Sequence, residues 1–156
     1  MMLQNEADDS PRHFCYGCGS RNPEGLHIHF EVDGRRVTGQ FTARETHVGY
    51  PGVAHGGIAA SVLDEAMGWA MYAAGAWAMT ARMEVKYRKP LPLGREVTVT
   101  AEVVRERGRV LDAEARIREP GGSLLVEAKG MFVRIPRDKQ SEMERFYRGP
   151  EPAVPG

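Results

Sequence analysis

Between Glu45 and Arg82 the chain carries only two Asp, Glu, Lys or Arg side chains, the neighbours Asp64 and Glu65. Everything around them is small or apolar, and a carboxylate in such surroundings needs a partner or a task. Upstream of the pair stands His55-Gly56-Gly57, where a helix would begin. A helix start leaves backbone N–H groups free to point at an anion or a polarised carbonyl. Glycines let a ligand come close to that backbone. A carboxylate that activates water or attacks directly, plus N–H donors for a developing oxyanion, are the parts of an acyl-transfer site.

Spacing sets a condition on that chemistry. Asp64 lies seven residues beyond Gly57, which at about 1.5 Å per residue is roughly 10 Å along a helix axis. One small reacting group does not easily meet both ends of such a span. If both act on one substrate, the simplest arrangement sets Asp64 of one subunit against the Gly56–Gly57 turn of a second, antiparallel copy. Such a two-fold dimer makes two equivalent composite sites. Glu65 is the rival carboxylate, but it points about 100° away around a helix, so only one of the two can face the cleft.

The elements that must position these residues read as follows. Residues 13–25, HFCYGCGSRNPEG, are loop by composition, with three glycines and an Asn-Pro pair. LHIHFEV alternates as a strand, Asp33-Gly34 signals a tight turn, and RVTGQFT is its hairpin partner. RETHVGYPGVA is a second loop ahead of the apolar stretch HGGIAASVLDEAMGWAMYAAGAWAM, which is long enough for a helix of several turns. MEVKYRK, REVTVTAEVVRE, RVLDAEARIRE and SLLVEAKGMFVRIP then read as a strand-rich meander. The order predicts a two-layer α+β domain in which an antiparallel sheet curves about one long helix, covering it on nearly every side. The expected organisation is a flexible leader over 1–12, one domain over 13–136, and a tail over 137–156 with at most a short helix.

Composition narrows the function classes. The 156 residues hold 21 Lys plus Arg against 21 Asp plus Glu, so no global field recruits nucleic acid or an anionic membrane. The apolar run from Gly56 to Ala81 has the length of a membrane span, yet it carries Asp64 and Glu65 and lacks a flanking basic cluster. No export signal is visible at the start, so a cytoplasmic protein with reduced Cys15 and Cys18 is expected.

The motifs in order resemble a known family. His55 to Asp64 reads H-G-G-x-x-A-x-x-x-D, MTARMEVKYRKPLPLG follows at 79–94, and CYGCGSRNPEGLHIHF precedes both. This combination, over residues 14–135, resembles the hotdog-fold acyl-CoA thioesterases of the PaaI and THEM4-like group. The resemblance implies a long central helix wrapped by a curved antiparallel sheet, and a dimer or a dimer of dimers. It implies Asp64 as the catalytic carboxylate, either base or nucleophile, and the Gly56 and Gly57 N–H groups as oxyanion donors. Thr80, sixteen residues after Asp64, falls where THEM4-like members place a supporting polar contact. Lys86, Arg88 and Lys89 stand where strand residues of that family lie near the coenzyme A arm. No cofactor or metal is required, coenzyme A being part of the substrate.

Plainer readings stand beside these. Asp64 also suits a carboxylate paired with an arginine at a dimer interface, and His55 suits a ring that orients its loop ahead of one that touches the acyl group or thioester. Thr80 also suits an ordinary strand, and the three cations a solvated edge. Met67, Trp69, Met71, Tyr72 and Trp77 are expected in core and interface, some of them around an acyl or aryl pocket. A non-catalytic acyl-CoA-binding protein of the same fold is a second class. A third is a zinc-binding module, since His13, Cys15 and Cys18 form H-x-C-x-x-C, with His27 and His29 close behind. Against zinc, small buried thiols also account for the cysteines.

Overall fold

A computed structural model of the chain describes residues 14–148. The first hairpin forms from β1 (His29–Asp33) and β2 (Arg36–Thr42). β1 starts three residues later than the alternation from Leu26 predicts, because Leu26 and Ile28 have other partners. Their backbone N–H groups donate to the carbonyls of Tyr16 (2.7 Å) and Gly17 (3.0 Å), which folds the opening segment back onto the domain. The second loop contains a short 3-10 turn, Glu45–His47, and the two-stranded ribbon β3 (Val48–Tyr50) and β4 (Val53–Ala54).

The helix α1 spans Gly56–Ala73. It takes only part of the apolar stretch: Ala74 caps it, Gly75 follows at φ +75°, and the chain re-emerges as β5 (Ala78–Tyr87). A left-handed glycine after the last turn is a common helix stop, and Ala-rich sequence on both sides of it hides the boundary. β6 (Glu96–Arg107), β7 (Val110–Arg118) and β8 (Leu124–Arg134) form the meander, and α2 (Arg137–Arg148) follows.

Six strands make one antiparallel sheet in the order β1-β2-β6-β7-β8-β5. Alternation decides its two faces. Val97, Val99 and Ala101 of β6 and Leu111, Ala113, Ala115 and Ile117 of β7 are buried, and α1 lies on them. The helix answers with Ala59, Val62, Leu63, Ala66, Met67, Ala70 and Met71, all nearly inaccessible. The expected architecture forms, one long helix against an antiparallel sheet that curves about it, although the sheet does not enclose the helix. The sheet covers one face, and Ala60, Ser61, Asp64 and Gly68 on another face remain half-buried. β5 lies at the sheet edge and is mostly exposed, with Met79 at 68% and Tyr87 at 54%. Among the described residues no helix is long and apolar enough to cross a membrane.

Candidate active site

The turn that starts α1 is fixed from three directions. His47 is buried, stacks on Phe41 (5.8 Å between centroids), and its carbonyl accepts from the His55 N–H at 2.7 Å. Burial and then the neighbouring Arg44 cation push the His47 imidazole below its ordinary pKa. His55 is the N-cap residue, and its Nδ1 accepts from the Gly57 N–H at 2.9 Å. The Tyr87 hydroxyl donates to the Gly56 carbonyl at 2.7 Å, so the end of β5 braces the same peptide unit. One of the two expected oxyanion donors, the Gly57 N–H, is therefore held by the ring of His55.

Asp64 stands two turns along, on the half-open face of the helix. Thr80 of β5 donates its hydroxyl to Asp64 Oδ1 at 2.7 Å. This contact depends on an irregularity in β5. The register with β8 shifts between Thr80 and Arg82, changing which face successive side chains take. Met83 and Val85 pack against the core, Tyr87 reaches Gly56, and Thr80 meets the helix although its number has the other parity.

The structure brings together His55, Gly56, Gly57 and Tyr87 at one end of α1, and Asp64 with Thr80 further along. It does not bring the basic residues to Asp64. Lys86 belongs to a groove with Glu84, Glu114, Arg116, Glu127 and Lys129. Arg88 pairs with Glu127 at 2.8 Å and holds that carboxyl below its ordinary pKa, while Lys89 donates to Ser123 Oγ at 2.7 Å.

Glu65 has neighbours that sequence spacing does not reveal. Both its carboxylate oxygens lie 3.6 Å from Cys15 Sγ, and Trp69 Nε1 donates to Oε1 at 3.2 Å. Cys18 completes the group. Gly17 is needed there, since a Cβ on it would stand 2.3 Å from Glu65 Cδ. Burial, with Cys15 adding, pushes the Glu65 carboxyl up to about 7. The hydrogen bond with Cys18 draws the Cys15 thiol down to about 5, and the same bond with burial raises Cys18. His27 and His29 do not join this cluster, and His13 lies outside the described residues.

Beside Glu65 runs a cavity lined by Cys18, Trp69, Tyr72, Trp77, Met79 and Ile135. Trp69, Tyr72 and Trp77 meet edge to face at 5.8 and 5.6 Å. Of the aromatic and methionine positions singled out from the sequence, Met67 and Met71 are core, and the three aromatics line this cavity.

Comparison with known proteins agrees with this architecture. The family model described as thioesterase superfamily matches residues 51–126. The acyl-coenzyme A thioesterase THEM4 of Xenopus laevis is 36% identical over 89 residues, which are 56% of this chain and 40% of that protein. The chain thus spans less than half the length of the curated relatives it matches. A crystal structure of a thioesterase superfamily protein superposes with a TM-score of 0.74 at 31% identity, over 78% of this chain and 63% of that one. A hypothetical thioesterase of Streptococcus pneumoniae, solved with coenzyme A, shares the fold with a TM-score of 0.66 at 18% identity, over 69% of this chain and 85% of that one. Motif order, sheet topology and these matches concur: the chain has the fold of the thioesterase superfamily structures, its residues 51–126 match that superfamily's model, and its sequence is similar to THEM4.

Proposed function

We propose that this protein hydrolyses acyl- or aryl-CoA thioesters to the free acid and coenzyme A at a site composed across a two-fold dimer. The observation that carries the reading is the 2.7 Å contact between Thr80 and Asp64 on the face of α1 that its own sheet leaves half-open. Thr80 occupies one carboxylate oxygen and leaves the other to take a proton. That favours Asp64 as a base acting on water over Asp64 as the nucleophile of a mixed anhydride.

In the water route Asp64 takes the proton as the water oxygen bonds to the thioester carbon. The carbonyl oxygen gains the negative charge. The N–H groups at the helix start of the second copy receive that charge, Gly56 first and Gly57 once the His55 ring releases it. Collapse breaks the carbon–sulfur bond, and the proton passes from Asp64 to the departing sulfur. The exposed edge strand β5 and the small-residue face of α1 are the surfaces the second copy covers, and two such dimers form the larger assembly. Arg88 and Lys89 directly follow Tyr87, which touches Gly56, so they flank a helix start and suit the phosphates of coenzyme A. Their present contacts lie at the surface, and such pairs exchange at little cost. The coenzyme A held by a fold neighbour supports this substrate class. The reading places the enzyme in the cytoplasm, with no nucleic-acid or membrane partner.

The test is a coupled thiol-release assay over acyl-CoAs from acetyl to palmitoyl, with phenylacetyl and benzoyl, on wild type and Asp64→Asn. Loss of about 100-fold or more in kcat, the usual scale for removing a general base, is expected in a variant that still folds and dimerises. If no thioester is turned over while both proteins bind coenzyme A, the chain is a binding protein of this fold.

A further inference from the structure

The geometry points to a zinc site built from Cys15, Cys18 and Glu65, on a side of α1 that the proposed thioester chemistry does not use. The three side chains come from two places far apart in sequence, a C-x-x-C loop and the middle of the central helix. Their ligand atoms all lie within 4.8 Å of one another. A tetrahedral zinc with Zn–S near 2.3 Å and Zn–O near 2.0 Å sets its sulfur and oxygen ligands about 3.5 Å apart. Cys15 Sγ stands 3.6 Å from both oxygens of Glu65, so the ligands already have the separation that one shared ion requires.

Chemistry and support favour the same assignment. Two thiolates with a carboxylate form a soft-to-borderline donor set that suits zinc better than calcium or magnesium. The fourth position falls to water or to another donor. Trp69 Nε1 donates to Glu65 Oε1 at 3.2 Å and fixes the carboxylate from behind, as outer partners of metal ligands do. Gly17 lies between the cysteines and admits the carboxylate where any Cβ would collide with it. Neither cysteine is in a disulfide, and Cys18 is 3% exposed. The site is a clasp that ties the opening segment, already bonded to Leu26 and Ile28, to the middle of α1.

The experiment uses the full chain, with any affinity tag removed and the thiols kept reduced. Bound metals are measured after growth in zinc-containing medium, and the stripped protein is then titrated with Co2+ as a spectroscopic stand-in. About one zinc per chain is expected, as is the thiolate charge-transfer band with the intense visible bands of a tetrahedral cobalt centre. Cys15→Ser and Cys18→Ser each remove that band. Glu65→Gln, which preserves side-chain volume, weakens Co2+ binding by at least about 10-fold. Three results overturn the site: reduced wild type that takes up neither zinc nor cobalt, Glu65→Gln that binds cobalt as tightly as wild type, or a Cys15–Cys18 disulfide in protein from cells lysed with a thiol-blocking reagent. The cobalt titration of wild type decides the matter even if a cysteine variant misfolds.

Discussion

Asp64 and Glu65 are adjacent, chemically alike, and placed in opposite circumstances. Asp64 sits on the half-open face of α1 with one hydroxyl, that of Thr80, on one of its oxygens. Glu65 is held by an indole and faced by two thiols, against a glycine that leaves it room, and burial raises its pKa to about 7. A carboxylate that must exchange a proton with a water and a substrate needs access and a spare oxygen, which the first has. Groups that crowd thiols and a carboxylate together in a half-buried space need protons or a cation to hold the charge, which describes the second. One residue of helical rotation separates a site suited to turnover from a site suited to binding an ion.

The contrast breaks most visibly at Gly17. A methyl group there collides with Glu65 Cδ, and the flexible carboxylate must swing out of the cluster. Gly17→Ala is expected to cost about 1–3 kcal/mol of stability, the scale of overpacking. Thioester turnover should stay within about threefold of wild type, because no group on the Asp64 side moves; an unchanged urea midpoint would mean that Glu65 is not anchored by the cysteine loop. The reciprocal change is Thr80→Val, which keeps the strand shape and removes the hydroxyl from Asp64. A hydrogen bond to a charged group contributes about 1.5–3 kcal/mol, part of which water restores at this half-open position, so kcat should fall about 10-fold. Cobalt affinity should not change. If cobalt affinity falls along with kcat, the two sides of α1 are coupled and the contrast fails.

How much of this was legible from the residues differs between the two sides. The helix start at His55 and the hairpins were readable because glycine, capping and alternation are local signals. Asp64 stood out because its motif is local too. Alternation likewise sets the side chains at Glu84, Lys86 and Arg88 apart from those at Met83 and Val85, which pack on the core. Thr80 defeats the same rule, since the shift between Thr80 and Arg82 is a backbone irregularity with no residue signature. The end of α1 at Ala73 was hidden by alanines on both sides of Gly75. In the sequence Glu65 reads only as the rival of Asp64. Its partner Cys15 is 50 residues away and meets it through tertiary packing alone. The C-x-x-C pair and a carboxylate in an apolar helix are the sequence signal for this cluster, and His13, His27 and His29, nearer in sequence, compete with Glu65 as partners of the cysteines.

The smallest expected effect lies at His55, and it separates two roles that the open side of the comparison leaves joined. The ring caps the helix by accepting from Gly57, and it also occupies a proposed oxyanion donor. His55→Ala should cost about 1 kcal/mol of stability, the usual cost of losing an N-cap acceptor, whereas His55→Asn should recover most of it because asparagine caps well. Activity then discriminates. If the ring only shapes the turn, Asn restores kcat together with thermal stability. If the imidazole must release Gly57 in step with the substrate, or itself meets the thioester, Asn restores the melting temperature while kcat remains depressed, and the cap and the catalytic role are distinct functions of one side chain.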